Sequence, residues 1–468
     1  MHRTAALVSA LSLLLPACAN DPVSEVEGVD ASSGAPVDET GSNDDAPATT
    51  GEDDEPEGST GPDDDAADSS GTDGGSSEGG STDDGSESTG PVDPTDPTGE
   101  PPAPGELEPT GTLGSHHVGY TETQFVDPVE ASRVLPAHVW YPAETFDENE
   151  LATYIVAENE ILDLELPAEA AQRDVEASTA GPFPLVVFSH GYGGLPTQSL
   201  ALCEALASHG FVVVSVGHVG NTTTDTENGT EVSFGEAAAH RPRDVQTTID
   251  GMEALNADAS SLIAGIIEEG EVGVTGHSFG GFTALTAAAG YAPSGATPDP
   301  RVRAIAPIAP GGYDFLESEL TTIDVPTLFL AGTEDEPAID DNVIPFFAAM
   351  TAEPRYRVDV QGANHFHFAN VCDIGQALIN LGLLPEVWPA IGAGQLLDIY
   401  DVTCTAEAFP IAEALRLQNK YVVAFFRAYL ADEAEYSAVL LPEHADACEA
   451  DAMVWIEGEP AFTPAPCE

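Results

Sequence analysis

Residues 271–281 read Glu-Val-Gly-Val-Thr-Gly-His-Ser-Phe-Gly-Gly, and this stretch decides the fold of the chain. A short apolar, partly β-branched run ends in the pattern Gly-x-Ser-x-Gly, and a run rich in Ala and Thr follows at 282–289. Strand, tight turn and helix in this order form an elbow that aims a serine hydroxyl out of a sheet. Gly276 and Gly280 fall where the turn is too tight for a Cβ atom. Ser278 is therefore predicted as a nucleophile; a Ser-Gly turn in a buried strand–helix corner is the alternative.

Apolar runs that alternate with helical patterns continue on both sides of this stretch. Residues 183–188 form a continuous apolar run, which is typical of a strand covered on both faces. Strands alternating with helices predict a mainly parallel, doubly wound α/β sheet. Residues 146–179 are charged with spaced Leu and Ile, which predicts a helical insertion on the surface. Further strands are predicted at 133–141, 211–216, 302–308, 327–332 and, as the last strand, 356–360, with helices at 198–208, 241–255 and 415–430.

Candidate catalytic side chains follow the predicted strands. In an open α/β sheet, functional residues collect at the carboxyl ends of the strands. A serine hydroxyl needs an imidazole base, and the imidazole needs a carboxylate to fix its tautomer. Asp335 follows one strand and His365 the next, so the sequence predicts a triad of Ser278, Asp335 and His365. The alternatives are His367 for the base and Glu334, Glu336 or Asp340 for the acid.

A tetrahedral intermediate also needs two backbone N–H donors. One is expected from Phe279, the residue after the nucleophile. The other is expected from the loop 190–194, where Tyr192 is the candidate. His190 and His277 are predicted to be structural.

Three blocks of sequence carry a likeness to a known group of enzymes. They resemble the platelet-activating-factor acetylhydrolase and predicted dienelactone hydrolase group of the α/β-hydrolase superfamily. The blocks are 185–191, 207–213 and 276–281, and the residues 361–365 are similar to the histidine loop of that group. The likeness extends to bacterial cutinases and polyester hydrolases at 191–192, 197–199 and 331–335. It implies an α/β-hydrolase fold and hydrolysis of esters.

The chain also departs from these relatives. Some acetylhydrolases place the acid one strand earlier, but the residues 304–310 hold no carboxylate here, which implies Asp335 in the cutinase-like position. Dienelactone hydrolases use a Cys nucleophile, whereas this chain has Ser278. The residues 370–410 form an insertion with Cys372 and Cys404 near its ends. A stapled, helical lid is therefore expected where cutinases are open.

The first 18 residues predict export. A basic Arg3 and the apolar run 5–15 are typical of a secretory signal, and this run is too short to span a bilayer. The residues 15–18 resemble a bacterial lipobox, which predicts a lipidated Cys18 and a protein anchored to a membrane of the cell envelope. The run Ala-Cys-Ala at 17–19 also fits ordinary cleavage, which would give a secreted protein.

The residues 19–111 predict an acidic, disordered linker, because Asp, Glu, Ser, Thr, Gly and Pro cannot bury enough apolar surface to order the chain. The residues 112–468 are predicted as one catalytic domain. The formal charge is −69, and about 27 of the 81 acidic residues precede residue 110, so the domain is acidic as well. This charge argues against nucleic acid as a partner and favours a neutral or zwitterionic substrate.

Five cysteines remain beyond Cys18. Local loops favour the disulfide pairs Cys372–Cys404 and Cys448–Cys467, and Cys203 is expected as a buried thiol. No Cys-x-x-Cys or His-x-x-x-His spacing supports a zinc site, so neither metal nor organic cofactor is expected.

The sequence thus predicts a secreted, lipid-anchored serine esterase that acts on short-acyl or lipid-like esters. A cutinase-like polyester hydrolase is one alternative. A surface lipoprotein that uses the hydrolase scaffold only for binding is the other.

Overall fold

The computed structural model describes residues 107–467, apart from 148, 159–162, 312–316, 336–337, 392 and 459–461. The predicted signal segment, Cys18 and most of the acidic linker lie outside these residues. Among the residues that are described, no helix is both long and apolar enough to cross a membrane.

A ten-stranded sheet forms the centre of the described part. Its strand order is β12-β11-β10-β9-β8-β6-β7-β2-β1-β5, while β3 and β4 form a separate hairpin. The strands from β6 to β11 pair in parallel, and β2, β1 and β12 extend the two sides as antiparallel strands. The strands are β1 (His117–Val126), β2 (Val134–Ala143), β3 (Thr153–Glu158), β4 (Asp163–Pro167), β5 (Ala171–Arg173), β6 (Phe183–Ser189), β7 (Val212–Val216), β8 (Ile267–His277), β9 (Val302–Ile308), β10 (Thr327–Gly332), β11 (Arg355–Val360) and β12 (Ala452–Glu457).

Helices cover both faces of this sheet. They are α1 (Leu200–Ser208), α2 (Thr223–Asn228), α3 (Phe234–Ala257), α4 (Phe279–Ala289), α5 (Glu317–Leu320), α6 (Ile344–Ala349), α7 (Val371–Asn380), α8 (Gly394–Thr403), α9 (Ile411–Tyr429) and α10 (Pro442–Cys448). This arrangement is the α/β-hydrolase fold that the sequence predicts, with helices α7 and α8 inside the insertion 370–410.

The apolar run of β6 explains the two cores. Every residue of this strand is buried, and successive side chains point to opposite faces. Val186 and Phe188 pack in the core that contains α1 and α9. Leu185 and Val187 pack in the core that contains α3 and α4. A continuous apolar strand is therefore what a sheet covered on both sides requires.

Two expectations about secondary structure are wrong. The residues 146–179 contain strands β3, β4 and β5 instead of a helix. Ala152, Tyr154 and Val156 are buried at every second position, which is the period of a strand. In addition, β11 is not the last strand, because β12 pairs with it in the antiparallel direction.

The described residues 107–111 fall within the predicted linker, and some of them pack against the catalytic domain predicted to begin at 112. Thr110 is fully buried, and its hydroxyl donates to the carbonyl oxygen of Lys420 at 2.9 Å. The Glu108 carboxylate accepts a hydrogen bond from Arg427 at 2.6 Å. Residues of the predicted linker therefore pack on helix α9.

The cysteines pair as the local loops favour. Disulfides join Cys372 to Cys404 and Cys448 to Cys467, while Cys203 is a buried free thiol. The first disulfide links the start of α7 to the end of α8, across the insertion. Across the described ranges, no group of three or more His, Cys, Asp or Glu side chains is placed to hold a metal ion.

Candidate active site

Ser278 lies on the sharp turn between β8 and α4. Its backbone has φ 60° and ψ −118°, a conformation that residues other than glycine rarely adopt. The turn also runs against β6, since a Cβ atom added at Gly276 or Gly280 would lie 2.3 or 1.8 Å from the carbonyl oxygen of Ser189. Both positions therefore require glycine. Backbone strain of this kind is found at functional residues.

His365 and Asp335 lie on adjacent loops. The strands β10 and β11 pair in parallel with Gly332 opposite Val360, so the loops that follow them start side by side. Nδ1 of His365 lies 2.6 Å from Oδ2 of Asp335, and the Asp335 side chain is 6% exposed. A carboxylate in this position fixes the imidazole tautomer that keeps Nε2 available as a base.

The alternative candidates lie in different surroundings. His367 is 1% exposed, and its Nδ1 accepts the N–H of Asn364 at 2.9 Å. Nε2–H of His367 donates to the carbonyl oxygen of Phe409 at 2.9 Å. Both ring nitrogens are thus engaged with the backbone. Of the three acidic alternatives, Glu334 and Asp340 are exposed, and Glu336 lies outside the described residues.

His277 connects the loop of His365 to the elbow. Nε2 of His277 lies 2.8 Å from the carbonyl oxygen of His365, and the centroids of the two rings are 4.6 Å apart. Because a carbonyl oxygen only accepts, Nε2 of His277 carries the proton in this bond. The residue before Ser278 therefore holds the main chain of His365.

The loop 190–194 passes close to Ser278. A Cβ atom added at Gly191 would lie 3.5 Å from Cβ of Ser278. The N–H of Gly191 donates to Oε1 of Gln198 at 2.8 Å, so this donor is already used. The next residue, Tyr192, packs its ring 5.7 Å from the ring of Phe279. The side chains of the two residues predicted to supply the N–H donors thus pack against each other.

A buried arginine, which no sequence motif marks, supports this loop. The Arg241 side chain is fully buried, and its guanidinium lies 4.3 Å from the ring centroid of Phe279. It donates to the carbonyl oxygens of His190 at 2.6 Å and Gly191 at 3.0 Å. It also donates to the side-chain oxygen of Asn221 at 2.7 Å. Arg241 thereby holds two carbonyl groups of the loop 190–194 in place.

A second serine–histidine–aspartate arrangement lies inside the protein. Oγ of Ser189 is 2.8 Å from Nε2 of His218, and Nδ1 of His218 is 2.9 Å from Oδ2 of Asp244. Arg133 donates to both oxygens of that carboxylate. Burial, followed by the charge of Arg241, lowers the pKa of His218 to about 4. All three members of the arrangement are fully buried, so none is exposed to a substrate. Their hydrogen bonds join the end of β6 and the loop after β7 to α3.

Known proteins resemble this chain in sequence and in fold. The residues 175–381 match the family model described as PET hydrolase-like. The chain is 30% identical over 183 residues to Cutinase 2 of Thermobifida cellulosilytica. The matched residues make up 39% of this chain and 60% of that protein. It is 27% identical over 192 residues to a bis(hydroxyethyl) terephthalate hydrolase of Streptomyces coelicolor. These residues make up 41% of this chain and 53% of that protein. The chain thus covers between half and two thirds of these relatives.

A solved structure extends the comparison of the fold. A ferulic acid esterase from Streptomyces cinnamoneus matches 70% of this chain and 94% of its own length, with a TM-score of 0.51 and 21% identity. Together with the sheet order and the elbow, the match to this structure shows that the chain has the α/β-hydrolase fold. It is similar to cutinases and polyester hydrolases, as the motif blocks imply.

Proposed function

We propose that the chain is a serine hydrolase of carboxylic esters, with Ser278 as nucleophile, His365 as base and Asp335 as the residue that orients the base. The observation that carries this proposal is the strained elbow serine, whose neighbour His277 bonds the main chain of His365, together with the 2.6 Å distance between the His365 imidazole and the Asp335 carboxylate. The similarity to cutinases supports the choice of esters as substrates.

The reaction has two halves. Oγ of Ser278 attacks the ester carbonyl while Nε2 of His365 accepts its proton, and the backbone N–H groups of Phe279 and Tyr192 stabilise the oxyanion. Collapse of the tetrahedral intermediate expels the alcohol, which takes the proton from His365. A water molecule, deprotonated by His365, then attacks the acyl-enzyme. The acid is released as Oγ of Ser278 leaves and takes the proton back from His365. Throughout, Asp335 stabilises the imidazolium that forms in each half.

The substrates we favour are neutral short-acyl or lipid-like esters, in keeping with the acidic composition of the chain. A cutinase-like polyester hydrolase is the second candidate, and the PET hydrolase-like family match favours it. Aromatic side chains near the elbow suit either substrate. The ring of Phe234 packs 4.8 Å from that of Phe279, and the ring of Phe366 lies 5.2 Å from that of His365.

A fluorophosphonate probe tests the proposal, because it reacts covalently with activated serines. We expect one label per molecule, mapped to Ser278 by peptide mass, and no labelling of protein that is heat-denatured before the probe is added. Complete absence of labelling in the folded protein would favour the alternative, a surface protein that uses the scaffold for binding. A panel of esters with graded acyl length then ranks the substrate classes.

We propose that the insertion 370–410 acts as a lid beside the base. The side-chain amide of Asn364 donates to the carbonyl oxygen of Val402 at 3.1 Å and to the hydroxyl of Thr403 at 3.2 Å. Asn364 precedes His365, and Thr403 precedes Cys404 of the disulfide. The insertion therefore rests on the loop that carries the base, where it can narrow the choice of substrates.

Replacing both Cys372 and Cys404 by serine should loosen this lid. Because the disulfide closes a loop of 32 residues, we expect the free energy of unfolding to fall by about 3 kcal/mol. The ratio of kcat/KM for bis(2-hydroxyethyl) terephthalate to that for p-nitrophenyl acetate should rise, since bulky esters gain access. The matched control is the Cys448/Cys467 pair replaced by serine, which should lower stability and leave the ratio unchanged. An unchanged ratio in the Cys372/Cys404 variant would contradict a lid.

We also propose that the mature protein is anchored to a membrane of the cell envelope through a lipid on Cys18. The two disulfides fit an exported protein. In a bacterial host, Cys18→Ser should abolish incorporation of labelled palmitate and move the protein from the membrane fraction to the soluble fraction. If the wild-type protein takes up no palmitate, ordinary signal cleavage is the correct alternative.

A further inference from the structure

Gln198 and His277 link the two loops that meet at Ser278. Oε1 of Gln198 accepts the N–H of Gly191 at 2.8 Å, and Nε2 of Gln198 lies 2.8 Å from Nδ1 of His277. At its other end, the His277 ring reaches the carbonyl oxygen of His365 at 2.8 Å. Three hydrogen bonds thus run without a gap from the loop of Gly191 to the loop of the base.

The directions of these bonds are mutually consistent. The amide of Gln198 has one oxygen that accepts from Gly191, and its nitrogen donates to Nδ1 of His277. A neutral imidazole with its proton on Nε2 can accept at Nδ1 and donate to the carbonyl of His365 at the same time. A doubly protonated His277 would place two donors face to face. Burial and the neighbouring His365 hold the pKa of His277 well below its ordinary value, which keeps the ring neutral.

Burial makes the link rigid. The side chains of Gln198 and His277 are buried, with 8% and 3% exposure, so water does not compete for these hydrogen bonds. The main chain of Gln198 is held as well, since its carbonyl oxygen accepts the N–H of Asn370 at 3.0 Å. Neither side chain is needed to transfer a proton in the reaction proposed above.

We propose that Gln198 and His277 form a positioning relay, which fixes the distance between the oxyanion-binding loop at Gly191 and the loop that carries His365. The proposal rests on the proposed ester hydrolysis and adds two positioning residues to it. By holding Gly191, Gln198 sets the orientation of the next peptide group, whose N–H belongs to Tyr192. By holding the carbonyl of His365, His277 sets the position of the His365 imidazole relative to Ser278. Small misplacements of such groups reduce kcat more than they reduce binding.

The test compares Gln198→Leu, His277→Phe and the variant with both substitutions. Each single substitution should lower kcat for p-nitrophenyl acetate about tenfold, with KM within about twofold of the wild-type value. The double variant should lie within about twofold of either single variant, because one substitution already interrupts the relay. Titration with fluorophosphonate to completion counts the reactive molecules in each preparation, so poor folding of one variant does not mimic a loss of kcat.

Gln172 offers a matched control at the far edge of the sheet. It is a buried glutamine on β5 whose side chain accepts the N–H of Asp147 at 2.7 Å and donates to the carbonyl oxygen of Asp147 at 2.8 Å. Gln172→Leu should lower the Tm and leave kcat at the wild-type value. A wild-type kcat in Gln198→Leu, or single losses that multiply in the double variant, would overturn the relay. A wild-type protein that takes up no probe would instead overturn the proposed function, and the relay with it.

Discussion

Replacing Ser278 with alanine is expected to lower kcat/KM for p-nitrophenyl acetate by about 10⁴-fold or more, because the acyl-enzyme can no longer form. The far-ultraviolet circular dichroism should stay the same, since the hydroxyl is removed without any change in the packing of β8 and α4. Labelling by a fluorophosphonate should disappear in the same variant. Steady-state kinetics on purified protein measure the first effect, and in-gel fluorescence measures the second.

Ser189→Ala is the informative comparison, since Ser189 belongs to the other serine–histidine–aspartate arrangement. Its hydroxyl is fully buried, so this variant should keep most of its activity and all of its labelling. The opposite result, in which Ser278→Ala stays active and Ser189→Ala does not, would show that Ser278 is not the nucleophile. Both variants keep the glycines of the elbow, so a general collapse of the turn is not expected in either.

The second large effect is expected at the base. His365→Ala should lower kcat/KM by about as much as the loss of the nucleophile, because the members of a triad act as a unit. His367→Ala should keep substantial activity, since the His367 ring bonds the main chain at Asn364 and Phe409. It should instead lower the free energy of unfolding, by about 2 kcal/mol, because two hydrogen bonds of a buried ring are lost.

These two variants differ by only two positions on the same turn, so each serves as the control for the other. Activity is measured with p-nitrophenyl acetate, and stability by denaturation in urea. The reverse ranking, with His367→Ala inactive and His365→Ala active, would refute the assignment of the base. It would also detach Asp335 from the reaction, since that carboxylate contacts His365.

Much of the fold can be predicted from the sequence because the central strands β6, β9 and β10 are apolar at most positions. The runs in β6, β9 and β10 need cover on both faces, and this requirement already implies a layered sheet. The hairpin of β3 and β4 is harder to predict, because the apolar run of β3 is short and the two leucines of β4 are separated by a charged residue. Its alternation becomes visible only when Tyr154 is seen to bond Trp140 and Glu204 in the core.

For the candidate site, chain order and strand ends indicate Ser278, Asp335 and His365, because parallel strands bring their carboxyl ends to one edge. The supporting side chains give no such signal. Arg241 lies in an amphipathic helix and reads as a surface cation until its contacts with His190 and Gly191 are seen. The roles of Gln198 and His277 likewise depend on contacts between residues 79 and 88 positions apart. Local sequence patterns do not contain such information.

The first described residues pack at the end of the sheet opposite Ser278. Glu108 contacts His209 and Arg427, and the N–H of Gly114 donates to the hydroxyl of Ser208. Ser208 and His209 precede β7, at the amino ends of the parallel strands, whereas Ser278 follows β8 at the carboxyl ends. A force on residue 107 would therefore act at the amino ends of the parallel strands. A tether at residue 107, as the proposed lipid anchor implies, would hold the protein at the end of the sheet opposite Ser278.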